Sequence, residues 1–157
     1  MQSSDPMGLR GEVSIQIFRK DGSLKEDVLI KNLVVNVGLA WISSRMLDAS
    51  SAVISHMGLG TSSTAAAATQ TALVAEAGTR AAVTAATSVT TTVTNDSVQY
   101  VATFDANNPV GLTAITEAGL FNALTDGTMI ARTVFPVINK DVDDSLAITW
   151  KIINTAL

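Results

Sequence analysis

Strict alternation of apolar and polar side chains is the feature that most limits how this chain can fold. Within residues 13–17 every second position is valine or isoleucine, and residues 98–104 and 146–152 repeat the period. Successive side chains of an extended strand point to opposite faces, so this period predicts half-buried β-strands. Other apolar or β-branched stretches predict further strands over residues 24–35, 53–60, 84–94 and 115–140, the last with a turn at Thr125-Asp126-Gly127.

A single helix interrupts this series of strands. Between residues 37 and 48, apolar side chains recur at spacings of three and four, which predicts a short amphipathic helix with Asn36 as its N-cap. Many strands, hairpin turns and one helix together predict an all-β, mainly antiparallel fold, a β-sandwich or jelly-roll-like domain. A parallel α/β sheet would need a helix between most of its strands.

The length of 157 residues predicts one domain, which we place at residues 11–157. Residues 1–10 are polar, contain proline and lack periodicity, so they predict an extended, flexible N-terminal arm. The small-residue stretch from Thr61 to Gln70, TSSTAAAATQ, predicts a long surface loop. Residues 71–77 predict one or two helical turns ended by Gly78.

The charge balance argues against nucleic acid as a partner. The formal net charge is −4 and the isoelectric point is about 4.7, whereas phosphate binding needs concentrated lysine and arginine. No apolar run approaches the roughly 18 residues of a membrane helix, so no membrane partner is expected. The chain has no cysteine and its N-terminus lacks a secretory signal, which predicts assembly in a reducing cytoplasm.

The residues that metal or nucleotide binding would need form no recognisable set. His56 is the only histidine, and we expect a strand residue satisfied by a hydrogen bond or by solvent. The sequence GLGT, residues 58–61, lacks the third glycine of a dinucleotide fingerprint and predicts a tight exit from a strand. The sequence DVDD, residues 141–144, could hold calcium, but the remaining loop ligands are missing and a solvated turn is preferred.

Acid–base catalysis finds no pair of carboxylates in the sequence. The glutamates lie in turns or at outward strand positions without a shared pattern: Glu12, Glu26, Glu76 and Glu117. We therefore predict a protein that is not an enzyme, with no catalytic residue, cofactor or metal. A small carbohydrate-active or hydrolytic enzyme is the competing hypothesis, and alanine substitution of His56 and of residues 141–144 separates the two.

The C-terminal third carries several short motifs. Residues 116–121 read Thr-Glu-x-Gly-Leu-Phe, a Gly-Thr-Met turn exit follows at residues 127–129, and Ala131-Arg132 comes next. The last motif begins at Lys140 and ends in Leu-x-Ile-x-Trp at Trp150. In these motifs the chain resembles structural proteins of tailed-bacteriophage particles, and tail-collar fibre proteins share part of the pattern. The first half, from GLRGEVSIQIFRKDG to ISHMGLGT, looks more like the jelly-roll cement, or decoration, proteins of phage capsids.

This resemblance implies a cement protein that binds the outer capsid surface of the virion and stabilises the shell by bridging major capsid protein subunits. A tail-fibre, collar or baseplate adaptor is the alternative. The implied partners are the major capsid protein and copies of the chain itself, as a dimer or trimer. The loop from Thr61 to Gln70 is a second candidate for contact with them. The first candidates lie in the arm: Ser3, Ser4, Asp5, Pro6, Met7, Leu9 and Arg10.

Overall fold

The computed structural model describes residues 7–111 and 113–156. Within them the chain forms eight strands and one helix. Their bounds are β1 Met7–Phe18, β2 Leu24–Val34, α1 Asn36–Leu47, β3 His56–Gly60, β4 Glu76–Val89, β5 Ser97–Phe104, β6 Thr113–Phe121, β7 Met129–Lys140 and β8 Ser145–Ala156.

The strands form a closed, antiparallel barrel in the order β1-β2-β7-β6-β3-β4-β5-β8, with β8 paired back to β1. The predicted all-β, antiparallel class is confirmed, but the predicted β-sandwich or jelly roll is wrong. Two long strands explain the closure, because β2 and β4 each pair with one neighbour along their first part and with another along their last part. β2 leaves β1 to pair through Leu33 and Val34 with β7, and β4 passes from β3 to β5 near Val83.

The alternating side chains fill the barrel as predicted. Val13, Ile15 and Ile17 are fully buried, and β8 contributes the largest buried side chain, Trp150. Adjacent positions in β1, such as Ser14, are only half-buried. Alternation has the same period in a barrel strand as in a sandwich strand, so it establishes which side chains face inward without showing that the sheet closes.

The helix is confirmed to within one residue at each end, but its predicted cap is wrong. The N-cap is Val35, and no side chain caps this end. Asn36 is the first helical residue, and its backbone N–H donates to the carbonyl of Ala68, 2.8 Å away. A tertiary contact thus satisfies the first free N–H of the helix, whereas the predicted cap would have accepted an N–H two or three residues further on.

Two local predictions on either side of β4 are wrong. Residues 71–75 have no regular secondary structure and residues 76–77 begin β4, so Gly78, with φ of +75°, lies inside the strand rather than ending a helix. The strand predicted over residues 84–94 runs from Glu76 to Val89. Beyond it the carboxylate of Asp96 accepts three backbone N–H groups of residues 91–93. Those bonds, led by the one from Val93, and the Ser97 hydroxyl hold the pKa of Asp96 far below its usual range.

The predicted arm overlaps the first strand. Met7, Leu9 and Arg10 lie in β1, where they pair with Ala156, Asn154 and Ile153 of β8. Ser3, Ser4, Asp5 and Pro6 lie outside the described residues. No helix in the described part of the chain has both the length and the apolar character that a membrane crossing requires.

Gly38 allows α1 to lie directly on β7. This close approach predicts whether Gly38→Ala raises or lowers the free energy of unfolding. A Cβ atom at this position would overlap the backbone carbonyl of Ile130. Helix propensity alone predicts that Gly38→Ala stabilises the protein by about 1 kcal/mol. We expect the reverse, a loss of about 1–3 kcal/mol in the free energy of unfolding measured in urea, because the helix must move away from the sheet.

Ser43→Ala in the same helix is the matched control, since residue 43 is exposed. We expect its stability to stay within about 0.5 kcal/mol of the parent protein. A Gly38→Ala variant as stable as the parent would contradict the close approach of α1 to β7.

Candidate interaction surface

A buried ion pair connects β6 and β7 at the outer side of the barrel. Glu117 and Arg132 both have no exposed surface, and Nη2 and Nε of Arg132 lie 2.7 and 2.8 Å from Oε2 of Glu117. Ala118, next to Glu117 in β6, and Ala131, next to Arg132 in β7, belong to the main core. Alternation along the strands therefore points Glu117 and Arg132 away from the barrel interior.

The segment between β3 and β4, residues 61–75, covers this pair and bonds to both of its members. Oε1 of Glu117 accepts the backbone N–H of Ala75 at 2.7 Å, and Oε2 accepts that of Val74 at 3.2 Å. Arg132 donates to the carbonyl of Thr64 and to the side-chain oxygen of Gln70, both at 2.9 Å. The ion pair is thus satisfied by a segment that has no regular secondary structure, which we call the anchored loop.

Further contacts close the anchored loop on itself and onto the barrel. The N–H of Thr61 donates to the carbonyl of Ala75 at 2.9 Å, joining the two ends. Leu73 packs in a small buried cluster with Phe121, Met129 and Val35. At the end of β3, a side chain on Gly60 would overlap the carboxylate of Glu117. We expected Gly58 and Gly60 to permit a tight exit from the strand. Gly60 instead leaves room for the buried carboxylate of Glu117.

The anchored loop presents small side chains on a fixed backbone. The sequence predicted a surface loop over residues 61–70, and this is confirmed. The composition left open whether that loop is a spacer or a contact surface. Its exposed side chains are those of Thr61, Ser63, Thr64, Ala65, Ala67, Ala68, Thr69, Thr71, Ala72 and Val74, of which only valine is a large apolar residue. Side chains this short lose little conformational entropy when another protein covers them.

A groove of about 330 Å3 lies where β4 meets the β6–β7 turn, with Gly78 and Leu124 in its walls. Arg80 organises it: its guanidinium lies 3.5 Å from the ring centroid of Phe121 and 2.6 Å from Oε1 of Glu76. Arg80 also donates to the carbonyl of Asp126 at 2.8 Å. The groove is therefore braced by a partly buried arginine that already has its partners.

The other candidate residues of the sequence lie apart from this surface or in ordinary structural roles. His56 is half-buried in β3, as predicted, and its Nδ1 lies 2.8 Å from the Ser55 hydroxyl. Burial, and then the charge of Arg80, lowers the pKa of His56. Residues 7–111 and 113–156 contain no group of three acidic, histidine or cysteine residues placed to hold a metal ion.

The turn at residues 141–144 is not the freely solvated turn we expected. Asp144 is almost fully buried, and its carboxylate accepts hydrogen bonds from Nζ of Lys25 at 2.6 Å and from the N–H of Asp141 at 3.0 Å. Lys25 also reaches Oδ2 of Asp141 at 2.7 Å. These carboxylates therefore tie β2 to the end of β7.

Sequence reasoning missed the role of Glu117 and Arg132. We expected Glu117 in a turn or at an outward strand position, and Arg132 entered only as part of a motif. A signal was present, because each is a single charge in an otherwise apolar strand sequence, EAGLF and MIARTVF. Two opposite charges on neighbouring strands of one hairpin are candidates for a buried pair.

The fold and this surface define a small closed barrel that carries an anchored, exposed loop. No protein-family model matches the sequence, and the comparisons with curated proteins and with solved structures find no match either.

Proposed function

We propose that this chain is a structural protein of a tailed-bacteriophage particle, and specifically a cement protein that binds the outer capsid surface. It stabilises the shell by bridging neighbouring subunits of the major capsid protein. No bond is made or broken in this role. A tail-fibre, collar or baseplate adaptor is the second candidate, favoured by the likeness of residues 116–150 to tail-collar fibre proteins.

One observation supports the proposal more than any other. Two charged residues of the motifs that resemble phage structural proteins, Glu117 and Arg132, are buried and bonded to the anchored loop. The resemblance and the exposed loop are thus linked, because the motif residues determine where the backbone of residues 61–75 lies. A motif that fixes a surface backbone is suited to protein–protein contact.

Rigidity is the property that a bridging protein needs. A rigid domain that touches two shell subunits makes its second contact with little extra loss of entropy, so two modest interfaces add to a strong attachment. Each complete interface of this type buries about 1,200–2,000 Å2. The anchored loop supplies one such contact in this proposal, and Ser3, Ser4, Asp5 and Pro6 of the proposed arm supply another.

The number of copies per particle tests the proposal. We expect hundreds of copies in purified particles of the phage that encodes the chain, counted by quantitative mass spectrometry against the major capsid protein. About a dozen copies would favour the tail candidate. Absence from purified particles would refute both.

Substitution in the anchored loop tests where the contact lies. We expect Ala65→Arg to lower occupancy on shells at least about tenfold, because a long charged side chain would separate the loop from its partner. Thr92→Arg, in the exposed turn between β4 and β5, is the matched control and should bind as the parent does. Equal binding of both variants would remove the loop from the mechanism.

A further inference from the structure

The outer face of α1 is apolar and uncharged. Leu39, Met46 and Leu47 expose 44%, 77% and 85% of their surface, and Ala40 and Ser43 between them are also exposed. These positions recur at three and four residues, so they form one face of the helix. The only charged residue of the helix, Arg45, lies off this face and donates to the carbonyls of Ala49 and Ser51.

The apolar face extends into a neighbouring groove. A groove of about 460 Å3 lies between α1, the start of β1 and the end of β2, and its walls are Leu9, Leu33, Val34 and Leu39 together with Arg10 and Asn32. Leu33 exposes a further 37% of its surface beside the helix face, so four large apolar side chains are exposed next to one another rather than scattered singly. A standard interface buries about 800 Å2 on each partner, a little over half of it apolar, and these adjacent side chains would form the apolar centre of one such interface.

We propose that this face is the contact of a two-fold homodimer, in which the α1 helices of two copies pack antiparallel. The distribution of side-chain sizes fits that arrangement, because small residues lie in the middle of the face and large ones lie at its ends. A two-fold axis near Ala40 and Ser43 would bring Leu39 of each copy against Met46 and Leu47 of the other. Each large side chain then fills the space beside a small one.

Charge also fits a second copy in this orientation. Asp48, exposed just after the helix, would lie near the N-terminus of the other copy's α1, where a negative charge is favourable. No charged side chain of α1 would be buried at the centre of such an interface.

Sedimentation velocity on the purified chain tests this proposal without reference to any shell, so its outcome is independent of the proposed function. We expect a reversible monomer–dimer equilibrium between about 1 and 100 μM. Ser43→Arg should weaken it at least about 100-fold, because the axis would place two like charges together. Leu29→Arg, at a residue 72% exposed on β2, is the matched control and should dimerise as the parent does.

A cysteine scan gives a second, positive readout, since the chain has no cysteine of its own. We expect Ser43→Cys to form a disulfide-linked dimer on mild oxidation. Val93→Cys, at a residue 66% exposed in the turn between β4 and β5, should remain largely uncrosslinked. A monomer throughout the concentration range, or a dimer that Ser43→Arg leaves intact, would overturn the proposal. A monomer whose Ser43→Arg variant loses shell binding would overturn it too, and would assign the face to a shell protein.

Discussion

Arg132→Met is expected to lower the free energy of unfolding by about 3–5 kcal/mol, measured in urea at neutral pH. The substitution leaves the carboxylate of Glu117 fully buried without its cation, and an uncompensated buried charge costs far more than the ion pair contributes. It also removes the two hydrogen bonds that Arg132 donates to Thr64 and Gln70. Amide hydrogen exchange along residues 61–75 should therefore become faster as well.

A double variant identifies the buried charge as the cause. In Glu117→Gln combined with Arg132→Met, no charge remains buried, and the new amide oxygen can still accept the N–H of Ala75. We expect the double variant to recover more than half of the stability that Arg132→Met loses. A double variant less stable than the single one would contradict this account.

A surface ion pair supplies the control. Lys20 and Asp143 lie 3.7 Å apart with most of both side chains exposed. We expect Lys20→Met to change stability by less than about 0.5 kcal/mol, since exposed pairs contribute little. A loss in Arg132→Met as small as that in Lys20→Met would show that residues 117 and 132 are hydrated in solution.

Local patterns predicted the parts of this fold that depend on period. Alternation identified the inward side chains of β1, and spacings of three and four located α1. Barrel closure depends instead on where β2 and β4 change partners, and each strand keeps one period through that change. The point at which a strand changes its neighbour depends on sheet twist and strand length. The alternation of apolar and polar side chains carries no information about either.

The anchored loop shows the same limit at the candidate surface. A stretch of alanine, serine and threonine has no large side chain of its own, and composition therefore cannot distinguish a fixed loop from a mobile one. What fixes the backbone of residues 64, 74 and 75 is a pair of charges from strands that lie about 40–70 residues further along the chain. Hydrogen bonds between a loop backbone and side chains far along the chain produce no repeating pattern in the sequence of the loop itself.

Lys140 should be a net cost to stability in its present position. Its side chain has no exposed surface at the end of β7, and Nζ has no hydrogen-bond partner in the described part of the chain. The nearby carboxylate of Asp144 is already bonded to Lys25. Burial lowers the pKa of Lys140, and the charges of Asp144 and Asp105 only partly oppose that effect. We expect Lys140→Met to raise the free energy of unfolding by about 1–3 kcal/mol at pH 7.

The pH dependence of that gain distinguishes relief of a buried charge from better packing. A pKa lowered in the folded state means that the unfolded chain binds more protons, so the stability of the parent protein rises as pH increases towards 10.5. Lys140→Met lacks this term, and its advantage over the parent should shrink as pH rises. Lys25, whose pKa is raised by its bonds to Asp141 and then Asp144, titrates in both proteins, so its contribution cancels in the difference.

Lys31→Met is the matched control for Lys140→Met, because residue 31 is exposed on β2. We expect its stability to stay within about 0.5 kcal/mol of the parent. A constant advantage of Lys140→Met across the pH range would mean that methionine packs better and that the amine is already neutral at pH 7. A loss of stability would mean that Lys140 has a polar partner in solution, and the end of the barrel would then hold a second paired charge.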